Sequence, residues 1–243
     1  MGKSGLPRFG ELDFLRGIAI VSMVIFHGFE VFALLKRGRP LEGGIFNLWQ
    51  QGTAMLFLAL FGLAAYLNYA RNHRGKRAVF QSRLLKGAQL FGWGMMITIT
   101  TYLFLKEGFV SFGILHLMGV SSVLIYPLLA FGYRNLMLGA AIIPAGYYLS
   151  RFRFNFAWLA WLGLVPAGFN SVDYFPIAPW LGYILIGIFL GNYFYPGGEP
   201  RLNWIKFSNN PIVKTFSFLG RHSLLIYLVH QPLLIAAIGA LIA

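Results

Sequence analysis

Long apolar runs separated by short polar connectors recur from residue 17 to the end of the chain. A helix needs about 20 mostly apolar residues to cross the hydrocarbon of a bilayer. The stretches that meet this need are roughly 17–35, 53–70, 87–105, 113–132, 135–150, 176–195 and 220–242. Residues 156–168 are also apolar but short, which suits a half-span, a re-entrant segment or an interfacial helix. The pattern predicts an all-α, polytopic membrane helix bundle of about seven spans plus that one short segment. The first run is not read as a removable signal: it is too long, lacks a small-residue cleavage pattern and contains Glu30.

Composition agrees with lipid as the solvent. Of 243 residues, 58% are hydrophobic and 11% charged, with a mean hydropathy of +0.66. Soluble domains carry nearer a quarter of charged residues, and a soluble fold of this size has too little interior to hide so many apolar runs. No long hydrophilic segment offers a second domain, so residues 1–243 read as a single transmembrane domain. There is no internal repeat. The chain has no cysteine, which excludes disulfides and thiolate metal sites. Five scattered histidines give no metal-site spacing, and no metal is expected.

The net charge of +13 fits basic loops against anionic lipid rather than nucleic acid. Its distribution orients the chain, because cytoplasmic loops are enriched in Lys and Arg. The loop "RNHRGKRAVFQSRLLK" at 71–86 is the strongest cytoplasmic marker, and the turn-rich "YPGGEPR" at 195–201 lies on the same side. The outer connectors hold the smaller share: Lys36, Arg37, Arg39, Lys106, Arg151 and Arg153. The N-terminus is therefore cytoplasmic. Treating 156–168 as a full crossing would move 201–221 outside and worsen the bias.

Within the first span, "DFLRGIAIVSMVIFHGFE" (13–30) carries Asp13, Arg16, His27 and Glu30. Charged groups in a span face the bundle interior or a wet cavity. Arg16 and His27 are eleven residues apart, about 20° in net rotation and about 16 Å in rise. Asp13 and Glu30 fall within roughly 60° of that stripe, so the four share one side. Arg16 lies near the cytoplasmic surface and His27 past the midplane. Asp13 and Arg16 also suit an ion pair at a helix start, or a snorkelling arginine. His27 is either a packing residue or a proton acceptor near neutral pH. Glu30 would orient its ring, or sit at the interface.

Further candidates lie elsewhere. His116 in "GILHLMGVSS" (113–122) reads equally as a site residue or a packing one. Asp173 in "FNSVDYFPIAPWLG" (169–182) precedes the sixth span on the outer side. "LGRHSLLIYLVHQP" (219–232) brings Arg221 at the cytoplasmic face, a phosphate contact or a positive-inside anchor. His230 follows, two residues before Pro232 and placed to line a cavity. Gln51, with Gln50 and Thr53, stands where the second span meets the outer surface. No nucleotide-binding loop, zinc-protease or serine-hydrolase motif is present.

Four blocks, "DFLRGIAIVSMVIFH", "GILHLMGVSS", "DYFPIAPWLGYILIGIFLG" and "LGRHSLLIYLVHQPLL", together resemble the small prokaryotic members of the heparan-α-glucosaminide N-acetyltransferase-like family, in order and over about 11 to 235. The opening also resembles the acyltransferase-3 family, whose first span carries an Arg and a His at the separation of Arg16 and His27. The resemblance implies an acyl-CoA donor, usually acetyl-CoA, bound from the cytoplasm, and a sugar amine or hydroxyl acceptor on the far side. The large animal members have Asn where this chain has His27, and their extra histidine lies in the loop after the first span. The loop here, 36–52, contains no His, which makes His27 the expected general base or acyl acceptor, with Glu30 beside it. Arg16, Arg221, Arg83 and Lys86 would hold the donor's phosphates. His116, Asp173, His230 and Gln51 would face the acceptor. Two other classes fit a polar stripe in a membrane: a transporter or flippase of a polar lipid, and a non-catalytic partner in envelope assembly. Short loops suit a microbial chain, hence the plasma membrane, and a homo-oligomer is compatible with all three.

Overall fold

The computed structural model describes residues 9–38, 43–72, 75–105, 108–201 and 210–242. The cationic residues Arg39, Arg74 and Lys106 lie outside them. Among the described residues are eight α-helices: α1 (Gly10–Arg37), α2 (Gly44–Ala70), α3 (Lys76–Leu105), α4 (Ile114–Leu124), α5 (Arg134–Leu149), α6 (Ile177–Phe194), α7 (Pro211–Arg221) and α8 (Ser223–Ile242). The protein is all-helical, and five of these helices, α1, α2, α3, α6 and α8, are long and apolar enough to cross a membrane. Their outward faces leave side chains such as Leu103, Phe104 and Leu233 well exposed, as lipid contact requires.

The expected count of seven spans changes in the middle of the chain. The apolar run 113–132 is not one helix. It ends as α4 after 11 residues, a 3-10 turn follows at Tyr126–Leu128 with Pro127 inside it, and Gly132 turns the chain at φ +56°. Pro127 supplies no N–H to continue the ladder. At 1.5 Å per residue α4 is about 16 Å long and the 16-residue α5 about 24 Å, both short of a hydrocarbon core of about 30 Å. Residues 156–168 contain a single 3-10 turn at Ala160–Leu162, and Pro166 pairs with Phe154 just before the segment. Helices also outrun the apolar runs. α3 starts at Lys76 rather than near 87, because Lys and Arg are good helix formers and the helix continues beyond the hydrocarbon. α7 was not expected from hydropathy. Its local signal is present: Asn210 caps it, Oδ1 accepting the N–H of Ile212 at 2.8 Å, and Pro211 takes the first helical position.

The residues fall into two compact units, Phe61–Leu202 and the two chain ends, 1–60 with 203–243; the division falls within α2. In the unit formed by the ends, α1 packs against α7 and α8. The α1–α7 crossing is a backbone contact: a Cβ at Gly17 would strike the carbonyl of Phe216, and one at Gly220 the carbonyl of Asp13. In the other unit α3 packs on α4 and α5 on α6. Small residues again allow the approach. Gly87 and Gly119 face each other across the first pair, Gly139 and Gly182 across the second.

Candidate functional site

In the unit of the chain ends, α1 carries two charged pairs on its inner stripe. Near its start Arg16 Nη1 donates to Asp13 Oδ1 at 3.3 Å. Three turns on, His27 Nε2 lies 4.0 Å from Glu30 Oε2, and both side chains are about a quarter exposed. The contact of Gly220 with Asp13 sets the C-terminal end of α7 beside the start of α1. Arg16 and the exposed Arg221 are thus both next to the residues of this helix crossing.

The structure adds His230 to His27. Their ring centres are 4.9 Å apart, with planes at 56°. His27 Nδ1 is 3.0 Å from the carbonyl of Met23, and His230 Nδ1 is 2.6 Å from the carbonyl of Tyr227. A carbonyl only accepts, so each Nδ1 bears the proton and each neutral ring keeps its lone pair on Nε2. His230 is 8% exposed, and its Nε2 is buried without a hydrogen-bond partner among the described residues. Two adjacent imidazoles, each with its lone pair on Nε2, are equipped to accept a proton or an acyl group.

A polar cluster of which the sequence had marked only Thr53 lies between α1 and α2. Trp49 Nε1 donates to Ser22 Oγ at 2.7 Å, and Ser22 Oγ and Thr53 Oγ1 share a hydrogen bond of 2.8 Å. They line a groove of about 270 Å³ with Ile18, Leu48 and Leu56. The spacing of Trp49 and Thr53, one helical turn, was its only signal. Gln51 is a half-buried residue on the same stretch of α2.

In the second unit the structure brings His116 and Asp173 together at the start of α4. Gly113 N–H donates to His116 Nδ1 at 3.1 Å. The proton is therefore on Nε2, 3.4 Å from Thr98 Oγ1, whose own hydroxyl donates to Val110 O at 2.7 Å. The ring stacks on Phe112 at 5.4 Å and meets the edge of Phe91 at 5.1 Å. Asp173 turns its carboxylate onto Gly113, where an added Cβ would lie 2.5 Å from Oδ2, and accepts the N–H of Ile114. Burial of the carboxyl raises its pKa from 3.8 to about 6, against the Ile114 N–H, which favours the charged form. The residue keeps some accessible surface, but the dense protein around the carboxyl itself sets the shift. Both side chains thus hold the first turn of α4, whose leading N–H groups lack intrahelical partners.

Arg83 is 5% exposed in α3; Nη2 donates to the carbonyl of Ala65, and its own carbonyl accepts Ser122 Oγ at 3.0 Å. Lys86, one turn on, is exposed. The same unit holds a cavity of about 370 Å³ walled by Tyr147, Phe169, Tyr174 and Trp180, with Arg153 and Asn170 at its polar side. Tyr174 Oη donates to Ala160 O at 2.6 Å, and burial pushes this phenol up to about 12.

The family model described as heparan-alpha-glucosaminide N-acetyltransferase, catalytic, matches residues 8–232. The chain belongs to this family. The four sequence blocks had pointed to it, and the match spans the first three and the fourth as far as Pro232. Comparisons with curated proteins and with solved structures returned no match. Family membership and the membrane-spanning helices support an integral multi-pass membrane protein with a membrane-embedded, acyltransferase-like enzymatic function.

Proposed function

We propose that the protein, as one transmembrane domain, moves an acetyl group from cytoplasmic acetyl-CoA to a sugar amine or hydroxyl on the extracytoplasmic side of the plasma membrane. The observation that carries this reading is His27: a partly accessible imidazole in a membrane helix, with its lone pair on Nε2, a carboxylate at 4.0 Å and a second imidazole at 4.9 Å. A neutral imidazole is the natural base for an amine or hydroxyl proton, and also a nucleophile toward a thioester. Glu30 orients the ring and offsets the charge it acquires.

Arg16 and Arg221, both next to the α1–α7 crossing, are the residues that would hold the donor's phosphates, since guanidinium groups match phosphate geometry. Lys86, exposed on α3, is the further donor-side cation of the other unit. Arg83, already bonded to Ala65, acts there through the position of α3. The donor supplies an activated thioester carbonyl. On the acceptor side the aromatic walls of the 370 Å³ cavity, with Arg153 and Asn170, suit a pyranose. Asp173 and His116 support the cavity's unit by fixing the start of α4, and in the unit of the chain ends Gln51 and His230 are the acceptor-facing candidates.

Radiolabelled acetyl transfer from acetyl-CoA to a panel of amino sugars and glycolipids, with purified protein in nanodiscs, tests the reading. Transfer is expected for the intact protein and lost in His27→Ala. Thermal stabilisation by acetyl-CoA, but not by free sugars, would separate an enzyme from a flippase or an assembly partner. Transfer at the wild-type rate by folded His27→Ala overturns the assignment of His27.

A further inference from the structure

We infer that His230 is a positioning residue whose buried Nε2 receives the N–H that His27 acquires during the reaction. The inference rests on the acyl-transfer reading of His27 and gives His230 a role beyond the acceptor contact expected from the sequence.

Each ring uses Nδ1–H to bond its own helix, His27 to Met23 O and His230 to Tyr227 O. The two Nε2 atoms are thus both acceptors at rest. Two lone pairs cannot satisfy each other, and His230 Nε2 accordingly has no hydrogen-bond partner among the described residues. A buried acceptor without a donor is costly, and each such group in a folded protein calls for a reason. The missing donor is an N–H on the neighbouring ring, 4.9 Å away centre to centre.

The reaction makes that donor. As the acceptor's nitrogen or oxygen bonds to the acyl carbon, its proton passes to His27 Nε2 and the carbon–sulfur bond breaks. The departing thiolate then takes the proton, and His27 returns to its neutral form. Between these events His27 carries N–H on both nitrogens. Nδ1–H stays on Met23 O, and the new Nε2–H finds His230 Nε2 in a site with little water to compete. The partner is unsatisfied in the resting enzyme and satisfied in the charged intermediate, so its contribution is to the transition state rather than to substrate binding. Glu30 is the other group near Nε2, at 4.0 Å. It offsets charge, whereas His230 supplies a directed acceptor.

Two substitutions separate this role from packing. His230→Gln keeps an acceptor near the place of Nε2 and loses the bond to Tyr227. His230→Asn keeps a donor near the place of Nδ1 and loses the Nε2 acceptor. Acetyl transfer to glucosamine, or to the panel sugar acetylated fastest, is followed with the thermal melting of each variant. We expect His230→Asn to melt like the wild type but to lose roughly tenfold or more in kcat, with KM for acetyl-CoA unchanged. His230→Gln should stay within a few-fold of wild-type kcat even if it melts lower. Equal loss in both variants, or loss that follows melting temperature, would show a packing role and overturn the inference. If His230→Asn does not fold, His230→Gln decides: near-wild-type kcat supports the inference, and a tenfold loss overturns it. If His27→Ala itself transfers normally, the acyl-transfer reading of His27 has failed first. If His27→Ala is inactive and His230→Asn is not impaired, only the role of His230 is lost.

Discussion

Asp173 accepts the backbone N–H of Ile114 while its carboxylate lies over Gly113, so this acid completes the first turn of α4. Burial raises this carboxyl from 3.8 to about 6. A raised carboxyl pKa means the folded chain holds a proton that the unfolded chain has released. Its contribution to stability is most favourable below 3.8, declines as pH rises, and is fully lost above about 6. Asp173→Asn still offers Oδ1 to Ile114 and does not titrate. The variant should gain on the wild type as pH rises through this window and be the more stable protein at pH 7. Thermal melts of both proteins in nanodiscs across that range check it; a wild type that remains more stable at pH 7 contradicts it.

His27→Ala should lower acetyl transfer by about 10²–10⁴-fold, the usual range for removing a general base. The ring's hydrogen bond is to a backbone carbonyl of its own helix, so the melting temperature should change little. A loss below roughly tenfold in the radiolabel assay would leave His27 a packing residue.

The α1–α7 crossing depends on the absence of a side chain at Gly220, whose Cβ would strike the Asp13 carbonyl. Gly220→Ala should destabilise the protein by about 1–3 kcal/mol, as overpacking does, and weaken donor binding because Arg221 is displaced with the helix end. Gly239→Ala in α8, where nothing lies within 4 Å, is the control and should be neutral or slightly stabilising. Denaturation of the two variants side by side reads the difference.

Arg16 and Arg221 should act on donor affinity. Arg221→Gln is expected to raise KM for acetyl-CoA by roughly tenfold, the worth of a charge-assisted hydrogen bond, with kcat little changed. The effect should shrink as salt is raised, since Arg221 is exposed and its field is screened. Arg16→Gln should do the same and also release Asp13. A fall in kcat at unchanged KM would move these residues out of the donor site.

Hydropathy located the long helices because a run of about 20 apolar residues has few other uses. It failed where one local residue outweighs the average. Pro127 cuts the run 113–132, and no window mean registers a single missing N–H. It failed again at α7, whose amphipathic face dilutes its hydropathy although Asn210 and Pro211 mark its start. In the site, the stripe from Arg16 to Glu30 was legible because helical geometry alone sets which residues share a side. The contact of Asp173 with Ile114 was not legible, because the two are 59 residues apart in the chain and nothing local announces the bond.

Composition and periodicity alone determined that this chain lives in lipid, that its first helix carries Arg, His and Glu on one side, and which family its motifs resemble. These are properties of single helices and of transfer from water to hydrocarbon, both additive along the chain. Only the tertiary structure decided that His230 stands beside His27, that Gly220 seats Arg221 near Arg16, and that His116 and Asp173 hold a helix end. Each of those is a contact between distant segments, and its existence depends on close packing and on which donors the backbone has already used.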